Sequence, residues 1–224
     1  MGQMIEIRRP DGSTCPAYSS LDDAPVGAPG LVLIQEWWGL NEQIKKTADR
    51  FAKAGYRVLV PDLYRGKLAS DADEASHMMG ALNFIDAAGQ DIQGSVDHLR
   101  AGSMRCAVGG FCMGGALTLL SALRVKGVDA GACFYGIPPK AVANLREMKV
   151  PLVLHFASKD DWCTPALVDT VEGDLRESAS RFELYRYDAD HAFMNEARPE
   201  VYDAKCALLA WDRTLRFLER TLTG

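Results

Sequence analysis

One cysteine of the chain stands between glycines at a spacing that chemistry would require. Residues 105–120 read RCAVGGFCMGGALTLL. A short apolar run at 106–108 suits a buried strand. It gives way to Gly110-Phe111-Cys112-Met113-Gly114 and then to a helix-forming run at 116–123. Strand, glycine turn, nucleophile, glycine and helix make up the G-x-S-x-G layout of a nucleophile elbow, with Cys in place of Ser. Such a turn strains the nucleophile's backbone, and side chains two residues away on either side would collide with it. The helix that follows aims free N–H groups and a partial positive charge at the sulfur, which favours a thiolate and an oxyanion. Taken alone, the pattern also fits a buried structural cysteine in a βα turn, or glycines that cradle a phosphate.

A thiol nucleophile needs a base, and the base needs a group to orient it. Candidates stand at the ends of other apolar runs: Glu36 after 31–34, Asp160 and Asp161 after 151–156, and His191 after 182–187. Each has an ordinary reading on its own, as a solvated loop acid, a helix cap or a loop histidine. Cys112, then Asp160 or Asp161, then His191 give the chain order nucleophile, acid, histidine that α/β-hydrolases use.

The elements that must position these residues alternate along the chain. Predicted strands at 4–8 and 14–18 flank the turn Pro10-Asp11-Gly12 as an antiparallel hairpin. Further strands are expected at 31–34, 56–60, 128–135, 151–156 and 182–187. Helices are expected at 42–54, capped by Asn41, then at 90–101, near 141–145, from Pro165 to 178, and at 200–222. Residues 67–87 read as polar with helical stretches. Repeated βαβ units imply a mostly parallel sheet with helices on both faces, which binds ligands beyond the carboxyl ends of its strands.

The 224 residues suit a single domain, 1–224, with an ordinary hydrophobic fraction of 48%. A net charge of -5 and the absence of a basic stripe argue against nucleic acid as a partner. No apolar run approaches the ~20 residues that span a membrane. The first ten residues lack the apolar core of a signal peptide. The six cysteines include no C-x-x-C pair, so neither a zinc site nor a redox dithiol is indicated, and reduced cytoplasmic thiols are expected.

Over nearly its whole length the chain resembles the dienelactone hydrolase family. The resemblance rests on Gln35-Glu36-Trp37-Trp38-Gly39, Pro61-Asp62-Leu63-Tyr64, Gly110-Phe111-Cys112-Met113-Gly114-Gly115, Phe134-Tyr135-Gly136, Lys159-Asp160 and His191-Ala192-Phe193. It implies an α/β-hydrolase fold and hydrolysis of an enol lactone or related small-molecule ester in the breakdown of aromatic compounds, without cofactor or metal. Monomer or small homo-oligomer is the expected state. The resemblance makes Cys112 the nucleophile that forms a thioester, His191 the base and then the acid, and Glu36 an acid that engages the Cys112 thiol at rest. The oxyanion is expected on the backbone N–H groups of Met113 and Trp37. The family's spacing from Ala157 selects Asp160 as the partner of His191, whereas counting back from Pro165 selects Asp161. The reading taken is Asp160, with Asp161 capping the helix that opens at Pro165.

Asn195 stands where the resemblance would place an arginine that holds a substrate carboxylate, and no arginine occurs in 70–84. A neutral or differently anchored ester is therefore expected, with Trp38, Tyr64 and Asn195 as candidate substrate contacts. A second class of function stays open at this point. The chain could be a small-molecule-binding or thiol-redox relative, with Cys163 approaching the site.

Overall fold

Whether the strand ends converge depends on strand order and direction. A computed structural model describes residues 2–21 and 24–223. Met1 and Gly224, the ends of the expected single domain, lie outside the described residues. The elements run β1 (Gln3–Arg8), β2 (Thr14–Ser20), β3 (Gly30–Ile34), α1 (Glu42–Lys53), β4 (Arg57–Pro61), α2 (Ala72–Ala81) and α3 (Phe84–Asp86). A π-helical segment, Ala87–Ile92, leads into α4 (Gln93–Arg100). Then follow β5 (Cys106–Phe111), α5 (Met113–Arg124), β6 (Ala130–Phe134), β7 (Leu152–Ala157), α6 (Pro165–Arg176), β8 (Phe182–Tyr187) and α7 (Ala204–Leu222). The eight strands form one sheet in the order β1-β2-β4-β3-β5-β6-β7-β8. β1 and β2 are the antiparallel hairpin, β2 joins β4 antiparallel, and β3 to β8 are parallel. This is the α/β-hydrolase architecture expected from the sequence.

Side chains alternate between the faces of a strand, so the unbroken apolar runs of β3 and β5 must be covered on both sides. Leu31 and Leu33 pack with Ile44 and Phe51 of α1 and with Ala210 and Phe217 of α7. Val32 and Ile34 pack with Val96 and Leu99 of α4 and Leu117 and Leu120 of α5 on the opposite face. Val168, Val171 and Leu175 of α6 cover Leu152, Leu154 and Phe156 of β7.

Three elements differ from expectation. The short helix near 141–145 is only a 3-10 turn, Leu145–Glu147, with Asn144 accepting from the Arg146 N–H at its start. The helix expected at 90–101 is drawn out at its N-terminal end by the π-helical segment, which carries Asp91 into the interior. There Asp91 meets Arg9 Nε at 2.9 Å and Arg65 at 2.7 Å, tying the hairpin and the loop after β4 to this helix. The last helix starts at Ala204, where Asp203 accepts from the Cys206 N–H at 2.8 Å; the preceding residues are held in turns.

The strand before Cys112 is longer than its apolar run. Gly109 and Gly110 stay paired with Leu33 and Ile34 on one side and Ala132 and Cys133 on the other. Cys112 then takes φ 55° and ψ -115° and directly precedes α5. A Cβ on Gly110 would lie 2.5 Å from the Gly114 carbonyl oxygen, and one on Gly114 would strike the carbonyl oxygens of Ile34 and Gln35. The obstacles to Gly114 are backbone at and just beyond the end of the central strand β3. Gly114→Ala is therefore expected to cost at least the ~1–3 kcal/mol of an overpacked core, read as a lowered urea midpoint. An unchanged midpoint would show that β3 and α5 can separate freely.

Candidate active site

Parallel strands present their carboxyl ends at one edge, so the segments after β3, β5, β7 and β8 meet there. Cys112 is anchored by its own backbone: its N–H donates to the Phe134 carbonyl at 3.0 Å, and its carbonyl accepts from Ala116 at 3.1 Å. Beyond β8, His191 directs Nδ1 to Asp160 Oδ2 at 2.7 Å. The other oxygen of Asp160 accepts from the N–H groups of Trp162 at 2.7 Å and Cys163 at 2.8 Å, which fixes the carboxylate in the turn after β7. Asp160 is buried; Asp161 is exposed and, among the described residues, makes no hydrogen bond. The capping role expected of Asp161 belongs instead to Thr164, whose hydroxyl accepts from the Leu167 N–H at 3.4 Å.

The charges of this corner are coupled. Burial lowers the basicity of His191, but the hydrogen bond to Asp160 and the nearness of Cys112 and of the Asp160 charge push its pKa up to about 10. Burial raises the Asp160 carboxyl, and the His191 contact with the two backbone N–H groups outweighs this and holds it below the usual range. With Nδ1 engaged by Asp160, Nε2 is the nitrogen left for the sulfur. The Tyr135 ring stands edge-on to the imidazole, centroids 5.1 Å apart, and restricts its rotation.

Glu36 lies in the same corner, buried to 4% exposure. Its hydrogen bonds run to the Tyr135 hydroxyl at 3.3 Å and the Asn195 amide at 2.7 Å; among the described residues none joins it to the Cys112 thiol. Burial raises its pKa against the lowering effect of Asn195, His191 and Tyr135. Asn195 is thereby accounted for as a buried partner of Glu36. It is not among the residues that line the cavity. Nor is Tyr64, whose hydroxyl donates to Met113 Sδ at 3.3 Å. Trp38 does line the cavity, as do Trp37 and Met113. Among the described residues the backbone N–H groups of Met113 and Trp37 have no hydrogen-bond acceptor, so both are free for an incoming oxygen.

The cavity has a volume of about 890 Å³. Its charged rim includes Lys159, which pairs with Asp188 at 2.9 Å, and Arg198, which pairs with Glu200 at 2.8 Å and stands 5.7 Å over the Trp38 ring. The sequence reading missed Tyr135 and Arg198. Tyr135 carried a signal, because it closes an apolar strand next to Gly136. Arg198 carried none, because its place depends on the turns after His191. Asp160, Cys163 and His191 offer ligand atoms within 4.8 Å of one another. A cation there would have to break the Asp160–His191 contact and displace the proton of Cys163, whose thiol is raised by burial and donates to the Tyr135 carbonyl at 3.4 Å.

Comparison with known proteins points one way. The model of the dienelactone hydrolase family matches residues 16–222. The protein usf of Aquifex pyrophilus is 32% identical over the full length of both chains. A protein of Aquifex aeolicus provisionally named carboxymethylenebutenolidase is 29% identical over 99% of this chain and 100% of its own. A solved structure from Klebsiella pneumoniae, provisionally named dienelactone hydrolase, superposes with a TM-score of 0.84 at 23% identity, covering 98% of this chain and 99% of the other.

The raised pKa of His191 makes stability depend on pH in a defined direction. The unfolded group titrates near 6.5 and the folded one near 10, so the stabilisation is complete below about pH 6.5 and is lost as pH rises through 10. The difference in urea midpoint between the wild type and His191→Asn is expected to shrink steadily from pH 6 to pH 10. A difference that grows over that window would contradict the charged contact.

Proposed function

The chain belongs to the dienelactone hydrolase family and is a hydrolase of esters or lactones, and on that premise we propose that it acts through a Cys112 thioester. The observation that carries this reading is Cys112 at a positive-φ turn before α5, lining the same cavity as a His191 whose Nδ1 is held by Asp160. The Cys112 thiolate attacks the carbonyl carbon, and the oxyanion forms toward the N–H groups of Met113 and Trp37. The intermediate collapses, and the leaving alkoxide takes the proton of the His191 imidazolium. Neutral His191 then removes a proton from water, hydroxide adds to the thioester, and the acid departs as the thiolate is restored. Asp160 keeps Nδ1 protonated and Nε2 directed at the sulfur throughout.

Glu36 acts here by position. A carboxylate on the thiol would oppose thiolate formation. Held by Asn195 and Tyr135, Glu36 stays off the sulfur, and burial favours its neutral form. The substrate is a neutral ester or lactone. Of the three cations that line the opening, Lys159 and Arg198 are already paired with acids and, among the described residues, Lys140 is not; four acids, Asp161, Asp174, Asp190 and Glu200, line it too, and this excess disfavours a substrate anion. A free thiol as nucleophile suits a reducing compartment, and we assign the protein to the cytoplasm; all six cysteines are unpaired.

Two experiments test this reading. Cys112→Ala is expected to fold and to lose all ester hydrolysis, with Cys112→Ser retaining only a trace; folded Cys112→Ala with wild-type turnover would sink the assignment. In the same assay Asp160→Asn is expected to lower kcat by about 10⁴ through the wrong His191 tautomer, and Asp161→Asn to leave it within about twofold. For the substrate, kcat/KM is compared for a dienelactone carboxylate and its neutral methyl ester. At least a tenfold preference for the neutral ester is expected, and a preference for the anion would show that a cation was misassigned.

A further inference from the structure

The cavity extends well past the reacting atoms. Its volume of about 890 Å³ lies in the upper part of the ~300–1,000 Å³ range of pockets for drug-sized ligands, far more than a small lactone ring fills. The excess is apolar. α2 buries only Ala75 in the core, yet Met79 near its end and Phe84 just beyond are half-buried against the cluster that holds Met113 and Ala143. Met79, Phe84, Met113 and Ala143 all line the cavity, and Ile137 and Leu145 from the segment after β6 extend the wall. On that segment only Lys140, which is exposed, adds a polar side chain to the lining.

Which half of a substrate enters this arm follows from the two faces of the sheet. His191 must protonate the leaving group, and the residues after it, Ala192 and Phe193, pack on the face covered by α1 and α7. Met113, whose N–H faces the oxyanion, packs on the other face with Met79 and Phe84. The leaving alcohol therefore lies on the His191 side, and the acyl chain runs from the carbonyl carbon along Met113 beneath α2. Building on the reading of Cys112 and His191 above, we propose that the natural substrate is an ester whose acyl part is a bulky apolar group of roughly six to ten carbons, selected by the Met79–Phe84 wall. Methionine is an unbranched, adaptable wall residue, and a helix with little core attachment can shift to fit such chains.

The test is a series of p-nitrophenyl esters, acetate to octanoate, which share one leaving group. Full burial is worth about three- to fourfold per methylene, so kcat/KM is expected to rise at least tenfold from butyrate to octanoate. Phe84→Asp and Met79→Glu are expected to compress that ratio at least fivefold, and Phe84→Leu to preserve it; all three alter half-buried positions, and circular dichroism melting checks their folding. A flat or falling series in active wild-type enzyme overturns the acyl-arm proposal and leaves the Cys112 mechanism standing. So does an equal loss on acetate and octanoate in both charged variants, or the same compression in Phe84→Leu. Should the wild type hydrolyse no member of the series and form no thioester, both readings fall together.

Discussion

The structure depends on how closely four backbone segments approach one another around Cys112. The turn between β5 and α5 is pressed against β3 at Ile34 and Gln35, and against the end of β6 at Phe134 and Gly136. Glycine at 110, 114, 115 and 136 leaves room for that approach, since a Cβ at any of them would meet a backbone atom within 2.5 Å. Because the segments touch, Cys112, the start of α5 and Trp37 line one cavity. The strain of φ 55° at Cys112 is sustained by the surrounding packing. Reactivity at this point is thus a property of the sheet and not of the cysteine alone.

Most of this was legible in the sequence, for reasons that differ between parts. The strands showed because those buried on both faces must be apolar throughout, as β3 is, and the elbow showed because only glycine tolerates its contacts. The order of Cys112, the two aspartates and His191 showed because each ends a strand. What stayed hidden depends on three-dimensional turns. Asn195 was readable as a missing arginine, but its role as the partner of Glu36 needs the four-residue coil after His191, including Ala192 at φ 64°. The choice between Asp160 and Asp161 depended on one residue of register, and the two backbone N–H groups that hold Asp160 cannot be counted from spacing. The π-helical segment leaves no pattern that a 3.6-residue period would reveal.

Glu36 and Asn195 together illustrate how a single substitution can reassign a neighbouring group. An arginine at 195 would compensate a charged Glu36. The amide offers a hydrogen bond without charge, so a carboxyl at 4% exposure is left in an environment that disfavours ionisation. The interior of the site is therefore less charged than its inventory of acids and bases suggests. The charged contact that remains inside is that of Asp160 with His191, and on the rim Lys159 and Arg198 are paired.

The positions of β5 and β8 in the sheet have a consequence for how the protein ages. β5 is central and every residue in it is buried, whereas β8 is an edge strand in which only Tyr187 is buried. Edge strands open and exchange their amide protons ahead of the core. Cys112 therefore follows one of the most protected strands of the sheet, and His191 follows one of the least. A fraying of β8 would loosen the turn that carries His191 toward Asp160 and leave Cys112 in place before its helix. Wear would then show as an intact, correctly folded population carrying a mute thiol, well before any global melting is recorded.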